Sequence, residues 1–155
     1  NILHEDLNKI INRQTGDTEY FYGSDKYLPL FESTTMSSLI IPISGKGLWS
    51  SLFGYIAISS KDYSSVNGIT FYAHGETPGL GAEITKPWFK SSFKGKEIFK
   101  NGVLTSIDVA KSGLADKTSL YEVDGISGAT ITSKGVEELL KRDLSKYEPY
   151  FSMKK

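Results

Sequence analysis

The chain contains no cysteine. That excludes disulfides, thiolate zinc sites, cysteine-ligated iron–sulfur clusters and cysteine nucleophiles within its 155 residues, and leaves the redox compartment open. Two histidines are too few for a polyhistidine metal centre. Charge of one sign is not in excess: 18 Lys and Arg stand against 18 Asp and Glu, for a formal net charge of zero. With no basic run, nucleic acid is not the expected main partner. Long apolar runs are lacking too. The longest uncharged stretch lies between Lys46 and Lys61 and is broken by Ser and Gly. It falls short of the ~20 apolar residues of a spanning helix. The chain opens Asn1-Ile2-Leu3-His4-Glu5, without the basic flank or apolar stretch of a secretory leader. With Asn1 in place of Met, it reads as a trimmed piece of a longer protein.

What is present is enough for one core, since a domain of this size buries roughly 70% of its unfolded surface. Leu3, Leu7, Ile10 and Ile11 recur at helical spacing and predict a helix from Asn1 to Arg13, with His4 on its face. Gln14 to Ser24 reads as loop. Tyr27–Phe31 and Leu39–Ile43 read as strands, with Pro29 and Pro42 placing them at edges or ends. Ser44 to Gly47 reads as a turn. Trp49 to Ser59 carries a strand signal, and Asn67-Gly68 reads as a tight turn before Ile69–Tyr72. Tyr55–Ile58 and Ile69–Tyr72 are then expected to pair antiparallel. Pro87 suits a first helical position, with Trp88, Phe89 and Phe93 as core. Lys96–Lys100 and Val103–Val109 read as strands around the hairpin dipeptide Asn101-Gly102, and Lys111–Tyr121 as loop. A last helix is predicted from about Thr132 to Leu144, with Val136, Leu139, Leu140 and Leu144 as its apolar stripe. The expected class is α+β: a mostly antiparallel sheet with a few flanking helices.

Two segments carry chemistry. Asp124-Gly125-Ile126-Ser127-Gly128-Ala129-Thr130 runs into the final helix. Small residues there allow close approach to the backbone, and the free N–H groups of a helix start suit a phosphate or another anion. The same pattern also describes an ordinary capped helix with Thr132 or Ser133 as N-cap. The second segment, His74-Gly75-Glu76-Thr77-Pro78-Gly79-Leu80-Gly81, is a Gly/Pro loop without the third glycine of a dinucleotide fingerprint. A hydrolase reading takes Ser127 or Thr130 as nucleophile and His74 as base. No third group orienting His74 is evident, and Ala129 breaks a Gly-x-Ser-x-Gly elbow. A cofactor-free binding module is the other reading.

Together with Gly45-Lys46-Gly47-Leu48-Trp49-Ser50 and Gly68-Ile69-Thr70-Phe71-Tyr72, the two segments resemble the FMN-binding domain family. Within it they are most similar to the C subunits of Na+-translocating NADH:quinone reductases, with the Rnf-type flavin subunits as the nearest alternative. The likeness runs from about Ile40 to Leu140. The resemblance implies FMN joined by its phosphate to Thr130, installed from FAD by a flavin transferase that recognises Asp124 to Thr130. A chain made without that transferase is expected to lack the flavin. Expected cofactor contacts are Asp124, Ser127, Gly128, Ala129 and Thr132 beside Thr130. Glu76 and Thr77 are expected on the ring or ribityl chain, Leu80 and Trp49 on the ring face, and Gly79 and Gly81 where the loop approaches it. A plain core position is the commoner fate of a residue such as Trp49. The resemblance further implies a carrier of single electrons, without its own turnover, in a Na+-pumping oxidoreductase complex. The other subunits are its partners. An inner-membrane helix would precede residues 1–35, and residues 36–155 would form a periplasmic FMN-binding domain, monomeric when isolated. Neither a metal nor a catalytic residue is implied.

Overall fold

The computed structural model describes residues 7–155. Its centre is an antiparallel four-stranded sheet in the order β4-β5-β6-β7. The strands are β4 (Phe31–Ser33), β5 (Ser38–Lys46), β6 (Ser51–Ser59) and β7 (Val66–Ala73). In β6, residues alternate between half-exposed and buried, so Leu52, Ile56 and Ile58 point into the core while Phe53 and Tyr55 face outward. Leu39, Ile41 and Ile43 of β5 and Ile69 and Phe71 of β7 join them inside. Each such side chain contributes about 1.5–3 kcal/mol by leaving water. Tyr55 lies opposite Thr70 and Ile56 opposite Ile69, the expected antiparallel pairing.

Helix α2 (Thr130–Lys146) covers the inner face of this sheet. Its stripe of Val136, Leu139, Leu140 and Leu144 is fully buried. A short helix, α1 (Pro87–Ser92), starts on Pro87 and sinks Phe89 and Phe93 into the core, their rings 5.3 Å apart and edge to face. A 3-10 turn (Gly81–Thr85) precedes it. Strands β8 (Phe99–Lys100) and β9 (Val103–Leu104) form a hairpin in which Asn101 and Gly102 both take positive φ, 52° and 79°. Strand β10 (Asp108–Ala110) pairs in parallel with β11 (Glu122–Asp124), the one parallel pair among the described residues. Helix α3 (Glu148–Lys154) ends the fold. No helix among the described residues is long and apolar enough to cross a membrane. The class is α+β, as the sequence predicts.

Several local expectations are overturned. The described part of the predicted Asn1–Arg13 helix is a strand, β1 (Asn8–Ile11); His4 and Leu3 lie outside the described residues. The Asn12 carboxamide accepts the amides of Gln14 and Thr15 at 2.9 and 3.2 Å, which turns the backbone instead of continuing a helix. The chain then returns as β2 (Thr18–Tyr22), inside the segment read as loop, followed by β3 (Asp25–Tyr27). The predicted strand Tyr27–Phe31 is broken around Pro29, and β4 begins only at Phe31. Pro42 sits in a central strand. It is tolerated there because β4 pairs with β5 only as far as Ile40. Ser44–Lys46 continue β5, and the turn falls at Gly47–Ser50. Asn67-Gly68 lie within β7. The turn lies upstream, where the Asp62 carboxylate accepts the Ser64 and Ser65 amides, each at 2.9 Å. Trp88 is half exposed, not core, and its indole N–H donates to Glu83 at 2.9 Å.

The three N-terminal strands dock through a polar cluster. Buried Asp143 accepts the Ser44 amide at 2.8 Å and binds Arg142 and Lys146. Lys146 also pairs with Asp17, and the Ser44 hydroxyl donates to Thr18 at 2.8 Å. Beside it the Tyr147 hydroxyl donates to the Pro29 carbonyl at 2.6 Å, and burial pushes that phenol's pKa up.

Candidate functional site

Three segments far apart in sequence meet at the start of α2. The turn after β5 lies against the helix: a side chain at Gly135 would place its Cβ 2.1 Å from the Lys46 carbonyl oxygen. The same turn closes on itself, Gly47 N–H donating to Ser50 O at 2.8 Å. It rests on Glu76, which is 6% exposed and accepts the Trp49 amide at 3.2 Å through Oε2. A Cβ at Gly47 would fall 1.5 Å from Glu76 Oε1, so any larger residue would displace the Glu76 carboxylate. That Oε1 is buried without a hydrogen-bond partner among the described residues. The Glu76–Gly81 loop in turn packs on the helix start, with the Thr132 hydroxyl 2.7 Å and the Glu76 Cβ 2.8 Å from where a Gly81 Cβ would be. Leu80 lies over Gly128, whose φ of 74° favours glycine.

At this junction Thr130 is exposed as the first residue of α2. The apolar pattern places the start two residues later and offers Thr132 or Ser133 as cap; the cap position belongs to Ala129, which has no side chain to serve. The Ser133 hydroxyl is committed elsewhere, accepting the Ile126 amide and donating to Ala129 O, each at 2.9 Å. The amides of Thr130, Ile131 and Thr132 find no acceptor among the described residues. An anion at that end would therefore meet free donors and the positive end of the helix field. Large apolar side chains stand exposed on the converging segments: Trp49 is 69% exposed, Ile131 58%, Leu48 44% and Leu80 42%. Side chains of this kind brought together on loops mark a ligand or partner surface. A plain core position for Trp49 is thereby ruled out.

Of the predicted residues, Thr130, Ser127, Gly128, Thr77 and Leu80 are exposed here, while Ala129, Thr132, Gly81 and Glu76 are buried beneath. Thr77 shapes the loop through its carbonyl, which accepts the Leu80 and Ala82 amides at 3.1 Å. Asp124 faces away, toward the loop after β10. It accepts the Ala115 amide at 3.0 Å and pairs with Lys117. The hydrogen bond from Lys117, then that from Ala115, hold its carboxyl below the usual carboxylate range. A lowered folded pKa means the tie is fully present above about pH 4 and is lost as pH falls through the folded value. Protection of the Ala115 amide from hydrogen exchange is expected to drop on acidification below about pH 4, and in Asp124→Asn at neutral pH. Unchanged protection in both would show that the carboxylate does not hold this loop. His74 accepts the Glu76 amide at 3.1 Å and has no hydrogen bond to Ser127 or Thr130 among the described residues, so a hydrolytic pair is not assembled. No group of three His, Asp or Glu is placed to hold a metal among the described residues.

Sequence patterning alone passes over Leu48, Ile131, Lys111 and Lys134. Ile131 has a signal: it is an apolar residue off the helix stripe. Lys111 has none, because the β10–β11 pairing that brings it near Thr130 spans unpatterned loop.

Similarity to known proteins follows the same geometry. The FMN-binding domain family matches residues 47–145, from the Gly47 turn through most of α2. The C subunit of the Na(+)-translocating NADH-quinone reductase of Haemophilus ducreyi is 42% identical over 118 residues, 76% of this chain and 45% of the relative. The corresponding protein of Vibrio anguillarum is 39% identical over 133 residues, 86% of this chain and 48% of the relative. The chain thus spans about half the length of these curated relatives. Among solved structures, the C subunit of the same reductase from Parabacteroides distasonis superposes with a TM-score of 0.68 at 40% identity, covering 86% of this chain and 61% of that one. NqrC of Shewanella oneidensis gives 0.67 at 29% identity, covering 88% and 60%. With nearly two thirds of its length matched, and with that match framing the junction at Thr130, the chain belongs to the FMN-binding domain family.

Proposed function

We propose that this chain is the flavin-carrying part of the C subunit of a Na+-translocating NADH:quinone reductase, with FMN esterified through its phosphate to Thr130. The supporting observation is the convergence of the 47–50 turn, the 76–81 loop and the α2 start on one exposed hydroxyl. Bound FMN supplies the redox chemistry, including single-electron steps. The chain's own residues do the rest. Thr130 presents its oxygen at an accessible helix start. Free amides of the first turn receive the phosphodiester charge. Trp49 and Leu80 offer apolar faces to the ring, and Thr77 borders it. Ser127, Gly128 and Ala129 keep the approach narrow and small. An open bed of this kind retains a ligand poorly, which a covalent bond remedies.

Attachment balances without redox change. Thr130 Oγ1 attacks the flavin-side phosphorus of FAD, the Oγ1–P bond forms, and the anhydride P–O bond breaks. AMP leaves and the hydroxyl proton passes to solvent. A flavin transferase is the catalyst and recognises Asp124–Thr130. In the whole protein a helix upstream of residues 1–35 anchors the chain in the inner membrane. Residues 36–155 then form a periplasmic domain, monomeric when isolated, that hands electrons between other subunits and has no turnover alone. β4, upstream of residue 36, is built into the same sheet.

Co-expression with a flavin transferase is expected to add the mass of FMN less one water, on the peptide containing Thr130. An unmodified natively purified chain, or an adduct on another residue, defeats the proposal. Glu76 tests the bed separately. Its carboxylate lies under the turn that carries Trp49, so it acts through that turn. Glu76→Ala leaves the Trp49 amide unpaired, at a cost of about 1–3 kcal/mol. It is expected to keep the ester and shift the flavin's visible spectrum or potential, and Glu76→Gln, which keeps an acceptor, to do so less. Unchanged spectrum and potential in Glu76→Ala would place the ring elsewhere.

A further inference from the structure

Thr130 also borders a cleft on the side of β10, away from Trp49 and Leu80. The cleft has a volume of about 250 Å³. That volume lies below the about 300–1,000 Å³ of pockets for drug-sized ligands and is ample for a phosphate group. Its polar lining is one-sided. Gly125 has its amide spent on the Ala110 carbonyl at 2.8 Å, and the Ser133 hydroxyl is committed as described. The remaining polar residues of the lining are Thr130, Ser112, Lys111 and Lys134, and no Asp or Glu is among the lining residues. Lys134 shares its charge with Glu137, whose other oxygen accepts the Val109 amide at 2.8 Å. Lys111 makes no ion pair among the described residues. Glu138 and Asp108 also act on Lys134, so Lys111 is the lining lysine left without an ion pair, beside the hydroxyl that would bear a phosphate.

We propose that Lys111, assisted by Lys134 and Ser112, completes the phosphate subsite begun by the free amides of the first α2 turn, so that the phosphodiester lies toward the β10 cleft and the ring lies outside it over Trp49. Charge-assisted hydrogen bonds from ammonium groups to phosphate oxygens are the strong kind, and the Lys111 ammonium matches the single negative charge of a phosphodiester. The unequal pairing of the two lysines ranks them: Lys111 contributes more than Lys134. This inference rests on Thr130 as the attachment point.

The test uses the full chain loaded by the transferase with FAD. The ³¹P resonance of the attached phosphodiester is recorded for the parent chain and for Lys111→Gln, Lys134→Gln and Lys46→Gln. Lys46 is exposed and does not line the cleft; it lines the neighbouring groove between the β5–β6 turn and α2, which shares Lys134 with the cleft, so it serves as a nearby control. The resonance is expected to move with Lys111→Gln, less with Lys134→Gln, and not with Lys46→Gln. Loading at limiting FAD is expected to slow about threefold to fivefold in Lys111→Gln, the scale of one exposed charge contact. A resonance unmoved in Lys111→Gln overturns the subsite even if loading slows, since slower loading alone reports transferase docking. A shift equal to that of Lys46→Gln overturns it as well. Peptide mapping separates these from failure of the parent reading, which shows as an adduct missing from Thr130.

Discussion

Replacing Thr130 by alanine is expected to abolish covalent flavin entirely while leaving the fold intact. The protein co-expressed with transferase would show no added mass, and denaturation would leave it colourless. The effect is all-or-none because in the proposed linkage the side-chain oxygen is itself the bonding atom and nothing adjacent can stand in. Ser127 is exposed three residues earlier, but it precedes the helix and the Gly128 bend. Thr132 and Ser133 are buried, the latter committed to two hydrogen bonds. Stability should move by no more than about 0.5 kcal/mol, because the residue is exposed and caps nothing. Thr130→Ser keeps an oxygen at the same place and is expected to restore the adduct. Intact mass and a melting curve on the three proteins decide the matter. A residual adduct in the alanine variant, or loss of its cooperative melting, would contradict the role proposed for this position.

Gly135→Ala carries the largest expected effect on stability, and its sign opposes helix propensity. In an exposed helix interior, alanine is favoured over glycine by about 1 kcal/mol. Here the added methyl would lie 2.1 Å from the Lys46 carbonyl oxygen, a backbone atom that cannot swing aside. Either α2 or the end of the β5–β6 hairpin must move, and the adjacent Gly45–Leu139 contact moves with it, since a Cβ at Gly45 would already fall 2.5 Å from that of Leu139. Overpacking of this kind costs about 1–3 kcal/mol or more. Denaturant unfolding should therefore show a lower midpoint, and the flavin spectrum should change because the turn bearing Trp49 is displaced. A midpoint equal to or above the parent's would mean that the helix does not press on the hairpin.

Much of this was legible in the sequence, for identifiable reasons. Period-two patterning in Tyr55–Ile58 and Ile69–Tyr72 marks the central pairing because one face of that sheet is wholly buried, which leaves a single workable register. The α2 stripe is equally plain. Asn101-Gly102 marks its hairpin through a backbone demand that few residues meet. The N-terminal third misleads because Ile10 and Ile11 fit a helical period as well as a strand, and the deciding group is the Asn12 side chain, whose local bonds carry no periodic signal. Asn67-Gly68 misleads in the opposite way, since a strong turn dipeptide is overridden by pairing with β6. At the site, the hydroxyl and the two loops can be found in the sequence. Burial of Glu76 under the turn, exposure of Trp49 and the positive β10 cleft cannot, because each depends on contacts between residues far apart in the chain.

Helix α2 also separates mechanical load from chemistry. Its 17 residues make a rod about 25 Å long. Thr130 stands at one end; Asp143 and Lys146, which fasten the N-terminal strands through Asp17 and Ser44, stand at the other. A tug on those strands would be borne by the far pole of the rod, away from the hydroxyl proposed to carry the flavin.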